Sequence, residues 1–245
     1  MTEPAIGLTQ WQRIAYAFTA PSKTFEDIKR GNRSWWLPLI IHAVVAYVFF
    51  AVVMSNIGIQ QVVDNQIHLS PRSEERLAQA SPEQRALSNK ISIYATEGAF
   101  LANPVLLIAG LALMSLVLWG TINFAFDGRA TFGGVFTVWM YASLPSVITS
   151  FLAMITILAG MAPESFNIKN PAPTNIGAFL DPLETNKALY SLASSLDFIM
   201  IWSLVLLGMG TAIVAGTKRG SGYIAVFGWW AVIILVSAGI AAVFG

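Results

Sequence analysis

The chain has 245 residues, of which 56% are hydrophobic and only 11% are charged, whereas soluble domains carry about 25% charged residues. Its net charge of +1 excludes the strong basic field with which nucleic-acid-binding proteins attract their ligand. The chain has no cysteine, which excludes disulfides, cysteine-ligated zinc and thiol nucleophiles. We therefore expect a membrane protein without a nucleic-acid partner.

Residues 1–34 form an amphipathic segment, which we predict to be a cytoplasmic tail. Its apolar residues recur at near-helical spacing: Leu8, Trp11, Ala15, Phe18, Phe25 and Ile28. This pattern predicts one or two helices within residues 8–30 that lie in the inner membrane surface. The alternative is an ordered cytosolic segment that does not touch lipid.

A basic cluster lies just before the first long apolar run. It consists of Lys29, Arg30 and Arg33. Cations at the end of a span hold that end on the cytoplasmic side and attract anionic headgroups. Trp35 and Trp36 follow, and tryptophan rings favour the depth of the membrane interface. The cluster is our candidate lipid-facing site.

Five apolar runs are each long enough to cross a membrane, which takes about 20 residues in a helix. They are residues 35–54, 100–126, 134–161, 198–216 and 223–245. The runs are continuous and do not alternate, which favours helices over barrel strands. We predict an all-α membrane protein, a five-transmembrane-helix bundle over residues 35–245, with an amphipathic interfacial N-terminal helix and a short helical outer loop.

The distribution of Lys and Arg predicts the orientation. Eight of them lie in the N-terminal segment and the loops on its side of the membrane, and six lie in the two loops of the other side. The eight are crowded close to helix ends, whereas the six are diluted over long loops. The positive-inside rule therefore predicts a cytoplasmic N-terminus and an outer C-terminus.

The first outer loop, residues 55–99, carries two helix starts. Ser70-Pro71 and Ser81-Pro82 each suit an N-cap followed by the first helical position. We predict two short amphipathic helices that fold back on the rim of the bundle through an apolar stripe: Leu87, Ile91, Tyr94 and Ala95. A partner-binding cap and a covered connection are both open. The second outer loop predicts irregular chain and then a short helix near residues 183–196.

Four polar or helix-breaking residues are candidate intramembrane positions: His42, Asn103, Pro145 and Asp197. His42 is either a proton or ligand contact or a neutral imidazole bonded to a neighbouring helix. Asn103-Pro104 and Leu144-Pro145 mark either simple kinks or broken helices along a transport path. Asp197 is either a helix cap or an ion site.

Small residues recur every fourth position in the fourth span, at Gly208, Ala212 and Gly216. Such a stripe permits close contact between helices. The partner helix is either in the same chain or in a second copy.

The chain carries no HExxH pattern, no Walker A loop and no cluster of carboxylates or histidines. We therefore predict no catalytic residue, no metal site and no cofactor.

A resemblance to a known family rests on three segments: RIAYAFTAPSKTFEDIKRGNRSWWLPLII, FDGRATFGGVFTVWMYASLPSVI and SSLDFIMIWSLVLLGMGTAIVAGTKRGSGYIAVFGWW. They contain a Pro-x-x-x-Phe pattern before a Trp-Leu-Pro first span, and a Tyr-Ala-x-x-Pro pattern in the third. Over roughly residues 13–240 the chain resembles the Yip domain family, the Ypt/Rab-interacting multi-span membrane proteins and their prokaryotic relatives.

The resemblance implies five spans and a cytosolic N-terminus, as the charge distribution does independently. In eukaryotic members it implies membrane trafficking through small GTPases. This sequence lacks the long acidic or proline-rich cytosolic domain and the Asp-Leu-Tyr-Gly-Pro motif of those members. That departure points to the prokaryotic branch, and through it to a plasma or inner membrane.

We therefore expect a non-enzymatic membrane organising or protein-interaction component, related to trafficking. Its expected partners are membrane lipids, together with other membrane proteins or a second copy of the chain. The alternative is a small transporter or channel with a polar path through the bundle. A membrane enzyme would require His42, Asp127 and Asp197 in one cavity.

Overall fold

The computed structural model describes residues 7–244, and this part of the chain is helical. The α-helices are α1 (Gln10–Thr19), α2 (Pro21–Lys29), α3 (Trp36–Asn56), α4 (Ile59–His68), α5 (Pro71–Gln79), α6 (Pro82–Leu101), α7 (Asn103–Phe124), α8 (Phe132–Ala142), α9 (Ser146–Leu158), α10 (Lys187–Ser195), α11 (Phe198–Ala215) and α12 (Arg219–Phe244). Two short 3-10 turns lie between α9 and α10. Only an isolated bridge, between Asn175 and Asp197, has β-type pairing in the described residues.

Five helical segments are long and apolar enough to span a membrane, which confirms the predicted fold class. They are α3, α7, α8 together with α9, α11 and α12. Half of the apolar window of α11 is buried within the protein, compared with 17% for α12. The fourth span is therefore the most enclosed of the five, and the fifth is the least buried by the rest of the chain.

The third span, predicted over residues 134–161 with a kink or a break at Leu144-Pro145, consists of two helices. The chain leaves the helical path after Ala142 and resumes it at Ser146. Pro145 explains the break, because proline donates no N–H and disfavours a helical conformation at the preceding residue, Leu144. Leu144 is nevertheless buried in the core, so the break is enclosed by protein.

The chain forms two compact units. The first contains the residues up to His42, Leu107–Ser146 and Met200–Ala231. Its core is a cluster from the N-terminal segment and four of the spans, and it includes Phe25, Ile28, Leu118, Ile122, Val135, Val138, Tyr141, Leu206, Leu207, Ala225 and Val226. The N-terminal segment is thus part of the core of this unit.

The second unit contains Ala43–Leu106, Val147–Ile199 and the residues from Val232 onward. Its core cluster is Val53, Ile57, Val62, Ile157 and Phe166. Buried Asn65 donates hydrogen bonds to the carbonyls of Pro163 and Phe166, at 2.8 and 2.9 Å, and so ties α4 to the second loop.

The loop between the first and second spans, residues 55–99, differs from its prediction. It contains three helices, and α6 is 20 residues long. The predicted capping box at its start is present, between Ser81 and Gln84. The apolar stripe does not fold onto the bundle, because Leu87, Ile91 and Tyr94 are about 60% exposed. α6 instead meets α4 through a polar pair, since the amides of Asn89 and Gln60 exchange hydrogen bonds of 3.0 and 3.1 Å.

Candidate functional site

The N-terminal helices α1 and α2 fold back on each other as a hairpin, which we call the N-terminal hairpin (residues 10–29). Thr9 caps α1 in a reciprocal pair with Gln12. α2 begins at Pro21, whose missing N–H costs nothing in the first turn of a helix. Gly31, at φ 111°, ends it in the left-handed conformation that glycine adopts without strain. The predicted helices are therefore present within residues 8–30.

A buried ion pair joins the two helices of the hairpin. Arg13 Nε lies 3.5 Å from Asp27 Oδ2, and their side chains are only 1% and 4% exposed. Arg13 also donates to the carbonyls of Asn32 and Ser34, at 3.0 and 3.2 Å, and to Asn32 Oδ1 at 3.0 Å. Two buried charges are tolerated when they are paired and hydrogen-bonded. Here the two terminal nitrogens of Arg13 supply the hydrogen bonds, while Nε makes the ion pair and has no hydrogen bond of its own.

Asp27 is satisfied by donors from both ends of the segment. The backbone N–H of Leu8 donates to Oδ1 at 3.1 Å, and Asn32 Nδ2 donates to Oδ2 at 3.1 Å. The carboxylate therefore fixes the chain before α1 and the chain after α2 to the same point. The Thr24 hydroxyl adds a third tie, because it donates to the Arg13 carbonyl at 2.9 Å.

Tyr141 of α8 connects this polar cluster to the membrane-spanning bundle. Its hydroxyl has acceptors at Gln10 Oε1 and the Ser34 carbonyl, 2.9 and 3.2 Å away. The Arg13 guanidinium lies 5.3 Å from the centre of its ring. A cation over an aromatic face is attracted by the partial negative charge of the ring's π face. The hairpin is thus fixed to α8 by polar contacts as well as by packing.

The hairpin also lies alongside α11. Phe25 packs where Gly210 has no side chain, since a Cβ at Gly210 would lie 2.9 Å from the Phe25 ring. Phe18 makes an edge-to-face contact with Trp202 at 5.7 Å between ring centres. Lys29 lies at Gly216, 14 residues further along α11, which corresponds to about 21 Å of helix.

Burial in this position changes the role of the predicted amphipathic face. Phe25 and Ile28 contact protein on all sides, because their exposure is 0% and 1%. They are therefore not available to lipid. Trp11 and Ala15 are exposed, and Phe18 is 37% exposed beside Trp202. Among the residues of the predicted apolar face, these three remain accessible to lipid or a partner.

A cavity of about 440 Å³ opens between the end of α2 and the turn that joins α11 to α12. We call it the basic cavity. It is lined by Glu26, Lys29, Arg30, Ala212, Ile213, Gly216, Thr217 and Arg219. Within the described part of the chain, none of its three cations forms an ion pair with a carboxylate. With Glu26 as the only carboxylate in the lining, the described residues of the cavity carry a net positive charge.

The predicted basic cluster is divided by the fold. Lys29 and Arg30 both line the basic cavity, whereas Arg33 does not. The side chain of Arg33 lies beside Gly133 at the start of α8, within 3.5 Å of where a Cβ would be. Arg219, which the sequence prediction did not include, completes the set of cations in the cavity.

The small-residue stripe of the fourth span brings α12 close to α11. A Cβ at Gly208 would lie 2.5 Å from the Tyr223 ring, and one at Gly222 would lie 2.1 Å from the Gly208 carbonyl. Gly216, at φ 70°, then ends α11 in the left-handed conformation. The stripe thus positions the turn that forms one wall of the basic cavity.

His42 contacts the break in the third span. Its Nδ1 lies 2.8 Å from the Pro38 carbonyl, and its Nε2 lies 3.3 Å from the Ser143 carbonyl. The hydroxyls of Ser143 and Ser146 are 3.4 and 3.5 Å from Nε2. A neutral imidazole satisfies this arrangement when Nδ1 donates to Pro38 and Nε2 accepts from a serine. His42 and Pro145 are thus parts of one local arrangement.

The remaining two polar positions belong to the second unit. Asn103 is exposed, and it is the first residue of α7, which is separated from α6 by Ala102 alone. The Asn103-Pro104 pair therefore starts a span and does not break one. Asp197 immediately precedes α11 and accepts a hydrogen bond from the Thr174 hydroxyl. Within residues 7–244 no three His, Asp or Glu residues are grouped as a metal site would require.

The comparisons with known proteins give one family. The family model of the Yip1 domain matches residues 15–240, from α1 through most of α12. No curated protein and no solved structure matches the chain. The matched range begins within α1, includes the first four spans completely, and ends within α12 at residue 240. The chain therefore belongs to the Yip1 domain family of membrane proteins.

Proposed function

We propose that this protein is a non-enzymatic component that organises the membrane, or interacts with other proteins in it, through its cytoplasmic face. The observation that supports this proposal is the fixed attachment of the N-terminal hairpin to the bundle. The hairpin and the turn between α11 and α12 form one preformed surface, on which Lys29, Arg30 and Arg219 are exposed.

The charge distribution supports the orientation. We place the N-terminus in the cytoplasm and the C-terminus outside, in a plasma or inner membrane. Cations close to the ends of spans favour the cytoplasmic side, where anionic lipids attract each Lys or Arg by about 1 kcal/mol. The exposed residues Trp11 and Phe18 give the same segment an apolar contact with lipid or with a partner helix.

Lipid enrichment in a reconstituted membrane tests the proposal. The full chain is placed in nanodiscs that contain phosphatidylcholine and a variable fraction of phosphatidylglycerol, and the lipids that copurify after transfer to detergent are counted. We expect the retained fraction of the anionic lipid to exceed its fraction in the nanodisc. A retained composition equal to the input, at every fraction of the anionic lipid, would contradict the proposal.

Transport through a polar path is the second candidate function. The observation that favours it is the broken third span, where His42 meets Ser143 and Ser146. The chain has no natural cysteine, so a single cysteine at Ser143 or Ser146 is a unique probe. A transport path predicts that a water-soluble thiol reagent reaches both positions in intact vesicles. Complete protection at both would remove this candidate.

A further inference from the structure

We propose that the basic cavity binds the phosphate group of an anionic phospholipid headgroup. This inference rests on the proposed function, because it assigns the lipid contact of the cytoplasmic face to one site. The cavity volume of about 440 Å³ lies within the range of about 300–1,000 Å³ that is usual for small-molecule sites. It is therefore large enough for a headgroup and not only for an ion.

Cations from distant parts of the sequence converge on the cavity. Lys29 and Arg30 come from the end of α2, and Arg219 is the first residue of α12. Glu26 is the one carboxylate among the lining residues. The lining therefore has three positive charges and one negative charge, and no ion pair within the described residues reduces this excess. A phosphate group supplies the missing negative charge.

Helix electrostatics explain only some of these cations. A cation in the last turn of a helix is stabilised by the helix dipole, which accounts for Lys29 at the end of α2. The same dipole disfavours a cation at the start of a helix, where Arg219 lies. A bound anion would remove that conflict. It would also accept hydrogen bonds from the first N–H groups of α12, which have no partner within the helix.

The location suits a lipid headgroup. The cavity lies at the adjoining ends of two spans, because α11 ends at Ala215 and α12 begins at Arg219. Span ends lie at the depth of the lipid phosphates. Gly216 has no side chain to close this wall, and a Cβ there would lie 3.8 Å from Lys29 Nζ. Glu26 is available to a hydroxyl group next to the phosphate, as in phosphatidylglycerol.

Two double variants of the full chain distinguish the cavity from the general charge of the face. The first, Lys29→Gln with Arg219→Gln, removes two cations of the cavity. The second, Arg129→Gln with Lys218→Gln, removes two exposed cations of the neighbouring turns that do not line it. All four side chains are exposed, so neither variant disturbs the core.

Native mass spectrometry measures the binding of dioctanoyl phosphatidylglycerol to the protein in detergent micelles. We expect the affinity for the lipid to fall about fivefold for each cation removed from the site, so the cavity variant should lose about 25-fold. The matched variant should lose less than about threefold, because its charges act only at longer range. Inorganic phosphate, added at the same concentration to the wild type and to both variants, should not displace the lipid.

The possible results separate the two proposals. Equal losses in both variants would overturn the cavity site and leave the proposed function intact. Wild-type binding that is the same for phosphatidylglycerol and phosphatidylcholine would contradict the proposed function itself. Tight binding of inorganic phosphate with the same dependence on Lys29 and Arg219 would overturn the lipid as the source of the phosphate group.

Discussion

Removal of Arg13 should detach the N-terminal hairpin from the bundle. The change Arg13→Met keeps much of the side-chain volume but leaves Asp27 buried without its cation. Its three hydrogen bonds to Asn32 and Ser34 are lost at the same time. Loss of one partner of a buried ion pair costs about 3–5 kcal/mol, and both side chains here are less than 5% exposed. We therefore expect a decrease of this size in the free energy of unfolding.

The assay is SDS-induced unfolding in mixed micelles, with the double variant Arg13→Met with Asp27→Leu in the same series. Removal of both charges avoids an unpaired buried carboxylate, so the double variant should be more stable than Arg13→Met alone. Lys23→Met is the matched control, because it removes an exposed cation from the same hairpin. It should cost about 0.5 kcal/mol or less.

The coupling between the two sites decides the outcome. If Arg13→Met costs no more than Lys23→Met, the ion pair does not hold the hairpin. The single variant Asp27→Leu completes the series. If the losses of stability in Arg13→Met and Asp27→Leu sum to the loss in the double variant, the two charges act independently, which their 3.5 Å separation should not permit.

Two further predictions concern packing and lipid contact. Gly208→Leu should destabilise the contact of α11 with α12 by about 1–3 kcal/mol, because any Cβ there meets the Tyr223 ring at 2.5 Å. Gly228→Ala is its control, since a Cβ at Gly228 would have nothing within 4 Å. Equal effects of the two changes would contradict the assigned contact. A nitroxide at Ala15→Cys should be relaxed more by oxygen than by a water-soluble nickel complex, whereas one at Glu75→Cys in the outer loop should show the reverse. The same preference for the nickel complex at both positions would place the exposed side of the hairpin in water.

The spans could be predicted because membrane insertion depends on local composition. A continuous apolar run of about 20 residues specifies a helix without knowledge of its neighbours. Pro145 similarly predicts a local break, although its enclosure in the core depends on the rest of the bundle. The exposed stripe of α6 shows the limit of this approach, because the pairing of Asn89 with Gln60 decides which side of that helix meets α4.

The polar cluster could not be predicted, because its partners are far apart in the chain. Gln10 and Tyr141 are separated by 131 residues, and no local pattern relates them. Arg13 and Asp27 have the spacing of ordinary surface charges on an amphipathic segment. Two of the three cavity cations, Lys29 and Arg30, were identified from their position before the first span. Arg219 joins them only because the small residues of α11 bring the start of α12 to the same place.

The central claim is that the chain crosses the membrane five times and that the basic cavity lies on its cytoplasmic side. Single-cysteine labelling of intact cells with a membrane-impermeant maleimide tests it most directly. Glu75→Cys in the first outer loop should be labelled from outside, and Lys218→Cys beside the cavity should be labelled only after the membrane is opened. Labelling of Lys218→Cys in intact cells, with protection of Glu75→Cys or without it, would contradict the claim.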